Sequence, residues 1–173
     1  MTLANKITVL RIIAIPLFII LLLQNDLMAA RILFTLSVVS DALDGAMARW
    51  RGERTPLGAF LDPMADKLLL VATYIAFTWL GEIPVWVFIV ILSRDVLIVM
   101  GWSIVLILTG NRKIQPRPLG KMTTALQMAV AVAKLFSFPE ILYEAGLRIM
   151  IAATILSACE YIWLGNKRLG ALE

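Results

Sequence analysis

Histidine is absent from this chain of 173 residues, and cysteine occurs once. The first absence removes histidine general bases and every histidine-ligated zinc or haem site. The second excludes a disulfide framework; Cys159 stands alone in an apolar stretch and reads as a small core residue. Charge is scarce too: Asp, Glu, Lys and Arg make up 16% of the sequence, against about 25% in an ordinary soluble domain. Any metal held here must be held by oxygen, which points to a hard cation such as magnesium or manganese.

Apolar residues fill the space. They make up 61% of the chain, and the mean hydropathy is +0.89. Apolar runs recur along the whole length, so the sequence predicts an all-α integral membrane protein. The first run lacks a small-residue cleavage site and is followed by similar segments, which argues against a signal peptide. The length suits a single domain over 1–173.

Six transmembrane helices can be drawn, each near the ~20 residues needed to cross a bilayer. They run from about Leu3 to Leu23 (with Pro16 inside), Leu27 to Trp50, Leu57 to Leu80, Pro84 to Thr109, Leu119 to Phe138 and Tyr143 to Leu164. Basic residues collect at alternate ends: Lys6 and Arg11; Arg49, Arg51, Arg54 and Lys67; Arg112, Lys113, Arg117 and Lys121; Lys167 and Arg168. The opposite ends hold Asp26, Glu82, Glu140 and Glu144. By the positive-inside rule both termini are expected in the cytoplasm. Trp79, Trp86, Trp102 and Trp163 lie towards span ends and read as interfacial anchors.

Four carboxylates break the apolar pattern. Asp41 and Asp44 are three apart and share a helix face; Asp62 and Asp66 are four apart and do the same at the start of the next helix. Charge at membrane depth is expensive and normally functional. Four carboxylates in one cleft repel one another unless divalent cations are present. The set suits two metals about 3.5–4 Å apart, able to clamp a phosphoryl group between attacking and leaving oxygens. Gly45 and Gly58 are poor helix formers, so each suggests close approach of a ligand or a neighbouring helix. Ala48 extends the groove, and Arg49 stands where it can hold a phosphate. The plainer alternative is carboxylates paired with snorkelling bases and small residues serving helix packing.

The pattern Asp41-x2-Asp44-Gly45-x2-Ala48-Arg49-x8-Gly58-x3-Asp62-x3-Asp66 resembles the complete signature of the CDP-alcohol phosphatidyltransferase family, eight fixed positions in 26 residues. Asn5-x2-Thr8-x2-Arg11, the stretch Phe60 to Leu68, and Gly120-Lys121-Met122-Thr123-Thr124-x2-Gln127 are similar to the phosphatidylglycerophosphate synthase branch of that family. The resemblance implies transfer of a phosphatidyl group from CDP-diacylglycerol to an alcohol, with release of CMP. It implies that Asp41, Asp44 and Asp62 ligate Mg2+ or Mn2+, two ions in all, with Asp66 shared between metal binding and general base work. Gly45, Ala48, Arg49 and Gly58 would form the CDP site. It also implies a homodimer. The expected location is a bacterial inner membrane, and the distribution of basic residues puts the carboxylates at its cytoplasmic boundary.

The acceptor is less marked. Arg94-Asp95 lies inside the fourth helix among apolar residues. It reads either as an internal ion pair, whose adjacent members would need other partners, or as Arg94 binding an acceptor phosphate with Asp95 orienting it. Arg117 and Lys121 begin the fifth helix, where backbone amides add to side-chain charge and suit an anion. Arg112 and Lys113 suit anionic lipid headgroups equally well; Lys134 has no assigned role. The expected acceptor is sn-glycerol 3-phosphate. That branch is expected to carry Glu where Asp95 stands, and the stretch Ser93 to Ile98, with Gln115-Pro116-Arg117-Pro118 ahead of Gly120-Lys121, also resembles members that use phosphatidylglycerol and make cardiolipin. A non-enzymatic divalent-cation transporter is the rival from another class, although no internal repeat is visible. Membrane lipids, CDP-diacylglycerol and a phosphate-bearing glycerol are the expected partners; nucleic acid is not among them.

Overall fold

The computed structural model describes the backbone of residues 3–51, 56–109 and 118–169; the side chains of 1–7, 41–60, 102, 105, 106, 108–117, 165 and 167–173 lie outside the described set. The described residues form six α-helices: α1 Leu3–Leu23, α2 Leu27–Arg51, α3 Pro56–Trp79, α4 Val85–Thr109, α5 Pro118–Leu135 and α6 Glu140–Leu169. They divide into two units, Met1–Glu82 with α1 to α3 and Ile83–Glu173 with α4 to α6.

In the first unit, α1 packs against both α2 and α3. Its buried face is Thr8, Arg11, Ile15, Phe18 and Leu22, in alternating steps of three and four. That spacing keeps one seam facing its neighbours along the helix. Ala30 and Phe34 of α2, and Ala65, Leu69, Thr73 and Ala76 of α3, supply buried partners whose small members allow close approach. Phe18 and Phe34 meet with ring centroids 5.7 Å apart, which ties α1 to α2. On α1, Leu10, Ile13, Leu17 and Ile20 are exposed despite being apolar. A continuous apolar outer face suits lipid rather than water.

The second unit repeats the scheme with α6 packed against both α4 and α5. Its seam residues Tyr143, Leu147, Met150, Thr154 and Ser157 again step by four and three. Val87, Ile91 and Arg94 of α4 and Gly120, Thr123, Gln127, Ala131 and Leu135 of α5 are buried as well. Two buried hydroxyls bond back to their own helix: Thr123 donates to the Leu119 carbonyl at 2.8 Å and Thr154 to that of Met150 at 2.7 Å. Lys134, left without a role by the sequence, lies 4.9 Å from the Tyr143 ring centroid, a cation–π contact joining α5 to α6.

Three helices end in the same way. After α1 the Asp26 amide donates to the Leu21 carbonyl and Asn25 to Leu22; after α3 Glu82 donates to Phe77 and Gly81 to Thr78; after α5 Phe138 donates to Ala133 and Ser137 to Lys134. Each turn needs a left-handed residue, supplied by Asn25 (φ 60°), Gly81 (φ 74°) and Ser137 (φ 55°). The Asp26 carboxylate then accepts from the Ala29 amide at 3.1 Å and caps α2. These turns explain the shifted boundaries. α5 stops at Leu135 because Ser137 reverses the chain, and α6 starts at Glu140 because Pro139 fixes φ and an acid favours a helix N-terminus.

Among the described residues one helix, Glu140–Leu164, is long and apolar enough to cross a membrane, 25 residues at a mean hydropathy of 1.5. Shorter apolar stretches cover Thr8–Leu23 and Leu27–Ser40. Cys159, expected in the core, is instead exposed on the outer face of α6, off the buried stripe of Met150, Thr154 and Ser157.

Candidate active site

The seam of the first unit turns polar at one end. There Thr8 and Arg11 are buried on α1, in phase with the apolar residues that follow. Thr8 Oγ1 donates to Asp62 Oδ1 at 2.7 Å. One turn along both helices, Arg11 Nη1 donates to Asp66 Oδ1 at 3.2 Å. Ala65, fully buried between the two carboxylates, lets α3 approach. The Arg11 side chain is 2% exposed and the Asp66 side chain 48%. The cation is thus inside, and the carboxylate is half open.

Asp62 and Asp66 therefore sit on one face of α3, as their spacing predicts, and α1 holds that face. Asp41, Asp44, Gly45, Ala48 and Arg49 lie in the last turns of α2 and Gly58 in the first turn of α3, with side chains outside the described set. Asp62 and Asp66 offer only carboxylate oxygen, which fits a hard divalent cation and not a soft one. Thr8 and Arg11 carry the geometry of this site, yet composition and motif spacing had marked them only as part of a resemblance and a basic cluster. The signal that finds them is phase: both fall on the buried stripe of α1, where a polar residue needs a buried partner.

In the second unit Arg94 organises the polar end. Its Nε and Nη2 donate to Ser157 Oγ at 3.3 and 3.1 Å, Nη2 to the Gly120 carbonyl at 3.2 Å, and Nη1 to Asp95 Oδ1 at 3.0 Å. Its guanidinium carbon is 5.9 Å from the Tyr161 ring centroid. The side chains of Arg94 and Asp95 are 7% and 14% exposed. The adjacent residues do pair, contrary to the expectation that neighbours on a helix need other partners. A long arginine side chain can fold along its own helix and bring Nη1 back to the next residue. Glycine at 120 has a steric reason: a Cβ there would stand 3.0 Å from Arg94 Nη2 and 3.1 Å from the Tyr161 hydroxyl. Lys121 is exposed on the first turn of α5, beside the carbonyl that Arg94 holds. Arg117 lies outside the described residues.

The family model for CDP-alcohol phosphatidyltransferases matches residues 1–160. The chain belongs to the CDP-alcohol phosphatidyltransferase family. A Bacillus subtilis protein named CDP-diacylglycerol–glycerol-3-phosphate 3-phosphatidyltransferase is 34% identical over 92% of this chain and 92% of its own length. A Mycobacterium tuberculosis protein named as a probable phosphatidylglycerophosphate synthase is 31% identical over 99% of this chain and 85% of its own. Human cardiolipin synthase (CMP-forming) is 29% identical over 99% of this chain and 64% of its own. The chain is accordingly a membrane phosphatidyltransferase of phospholipid biosynthesis. Family membership also removes the transporter alternative. The names of its relatives divide between two products, phosphatidylglycerophosphate and cardiolipin.

Proposed function

We propose that this enzyme transfers the phosphatidyl group of CDP-diacylglycerol to the hydroxyl of sn-glycerol 3-phosphate, forming phosphatidylglycerophosphate and CMP. The observation that carries the chemistry is the half-open Asp66 carboxylate, held from α1 beside Asp62 inside the family signature. Asp66 accepts the proton of the acceptor hydroxyl as its oxygen bonds to the lipid-side phosphorus and the bond to the CMP oxygen breaks. An ionised carboxylate within reach is sufficient for this role. Asp41, Asp44 and Asp62, with a share from Asp66, would hold two Mg2+ or Mn2+ ions. When bound, the ions supply charge stabilisation for the diphosphate. Arg49 pairs with a CDP phosphate, and Gly45, Ala48 and Gly58 leave room for the nucleotide.

The acceptor phosphate is bound by Arg117 and Lys121 at the start of α5, where side-chain charge adds to free amides. Arg94 contributes through the Gly120 carbonyl, fixing the backbone that carries Lys121. Residues 1–173 act as one catalytic domain with six spans, both termini cytoplasmic and the site at the cytoplasmic boundary of a bacterial inner membrane, as the basic residues favour. The working form is a homodimer.

Phosphatidylglycerol is the second acceptor to weigh, because Asp95 follows Arg94 and a CMP-forming cardiolipin synthase is among the relatives. Purified enzyme supplied with CDP-diacylglycerol, magnesium and either labelled glycerol 3-phosphate or labelled phosphatidylglycerol separates the two. Glycerol 3-phosphate is expected to give labelled lipid and CMP. Product from phosphatidylglycerol alone would replace the acceptor assignment, and product from neither would overturn the reaction as stated.

A further inference from the structure

The two carboxylates of α3 have different partners. Asp62 accepts from a neutral hydroxyl, Thr8, while Asp66 is paired with the buried guanidinium of Arg11. We infer that Thr8 and Arg11 are positioning residues that give Asp62 and Asp66 separate tasks: Thr8 turns Asp62 toward the cation, and Arg11 keeps Asp66 for the acceptor hydroxyl. The inference rests on the roles proposed above for Asp62 and Asp66.

A hydroxyl donating to Oδ1 fixes the rotation of the Asp62 carboxylate and leaves its full negative charge for a divalent ion. Partners of this kind govern the orientation and basicity of metal ligands. A guanidinium acts differently. Its positive charge offsets much of the Asp66 charge and repels a cation nearby, making Asp66 the poorer metal ligand of the two. Burial strengthens that effect, because little water screens Arg11. The same contact fixes Asp66 while leaving its side chain half exposed. Simple helix packing does not call for these residues: three heptad positions further along α1, Ile15, Phe18 and Leu22, hold the seam with apolar side chains.

The test uses the full chain purified without metal, with Thr8→Val, Arg11→Gln and Arg11→Lys. Mn2+ binding is followed by electron paramagnetic resonance, kcat and KM by CMP release, and folding by thermal melting. Thr8→Val is expected to weaken Mn2+ binding about tenfold. Arg11→Gln is expected to hold Mn2+ within about threefold of wild type or more tightly, lower kcat about 100-fold and leave KM nearly unmoved. Arg11→Lys, which keeps the cation, is expected to return kcat to within about tenfold. Equal loss of Mn2+ binding in Thr8→Val and Arg11→Gln overturns the division of tasks. So does a fall in melting temperature with Mn2+ binding and kcat both retained, the mark of plain helix staples. If Arg11→Gln does not fold, Arg11→Lys decides: retained Mn2+ binding supports the inference, and lost binding overturns it. A wild-type enzyme that binds Mn2+ but transfers to neither acceptor sinks the proposed reaction alone; the Mn2+ contrast between variants then still judges this inference.

Discussion

The two three-helix units solve the same packing problem and differ in how they treat charge. In each, one helix with a heptad seam packs against two others, and the seam is apolar along most of its length and polar at one end. In the first unit the arginine is enclosed and its carboxylate stands half open; in the second both members of the pair are enclosed. The comparison separates two uses of an ion pair. A closed pair, whose arginine also bonds a serine hydroxyl and a backbone carbonyl, fixes three helices at one point. An open pair encloses its cation and leaves its anion half exposed.

Metal removal has the largest expected effect, because the proposed cation site lies with Asp62 and Asp66 in the first unit. Chelation of divalent ions is expected to lower transfer about a thousandfold or more, the equivalent of several kcal/mol, with helix content by circular dichroism unchanged. Loss of helix on chelation would show that the carboxylates are structural. Arg94→Met should act the other way, removing about 3–5 kcal/mol of stability because a buried ion pair and the bonds of Arg94 to Ser157 and the Gly120 carbonyl are lost. Reversible unfolding in mixed micelles measures this, and a wild-type unfolding curve would mean that the pair is not a structural node. Gly120→Ala should cost about 1–3 kcal/mol, since its Cβ meets Arg94 and Tyr161 at 3.0–3.1 Å. Ser137→Gly is the smallest effect, a gain of roughly 1 kcal/mol from relieving a left-handed serine. An unchanged melting temperature there would show that the turn carries no strain.

How much of this was legible beforehand depends on the range of the interaction. Helix order and the turns at Asn25 and Gly81 could be read from hydropathy and local residue preference, and the shared face of Asp62 and Asp66 from helical spacing. Ser137 could not, since serine is not a marked left-handed residue. Thr8 and Arg11 reach carboxylates 54 and 55 positions away, and Arg94 reaches Ser157 across 63. No local spacing encodes such partners; only the shared heptad phase hints at them. The Arg94–Asp95 contact was missed for the opposite reason, a rule about neighbours that a long flexible side chain can evade.

Asp66→Asn tests most directly the proposed role of Asp66 as the half-exposed carboxylate that takes the acceptor proton. The change keeps size and shape while removing the base. With CDP-diacylglycerol, saturating magnesium and the preferred acceptor, kcat is expected to fall about 100- to 10,000-fold, with Mn2+ still bound and the melting temperature close to wild type. Wild-type kcat in a folded, metal-bound Asp66→Asn enzyme would contradict the account.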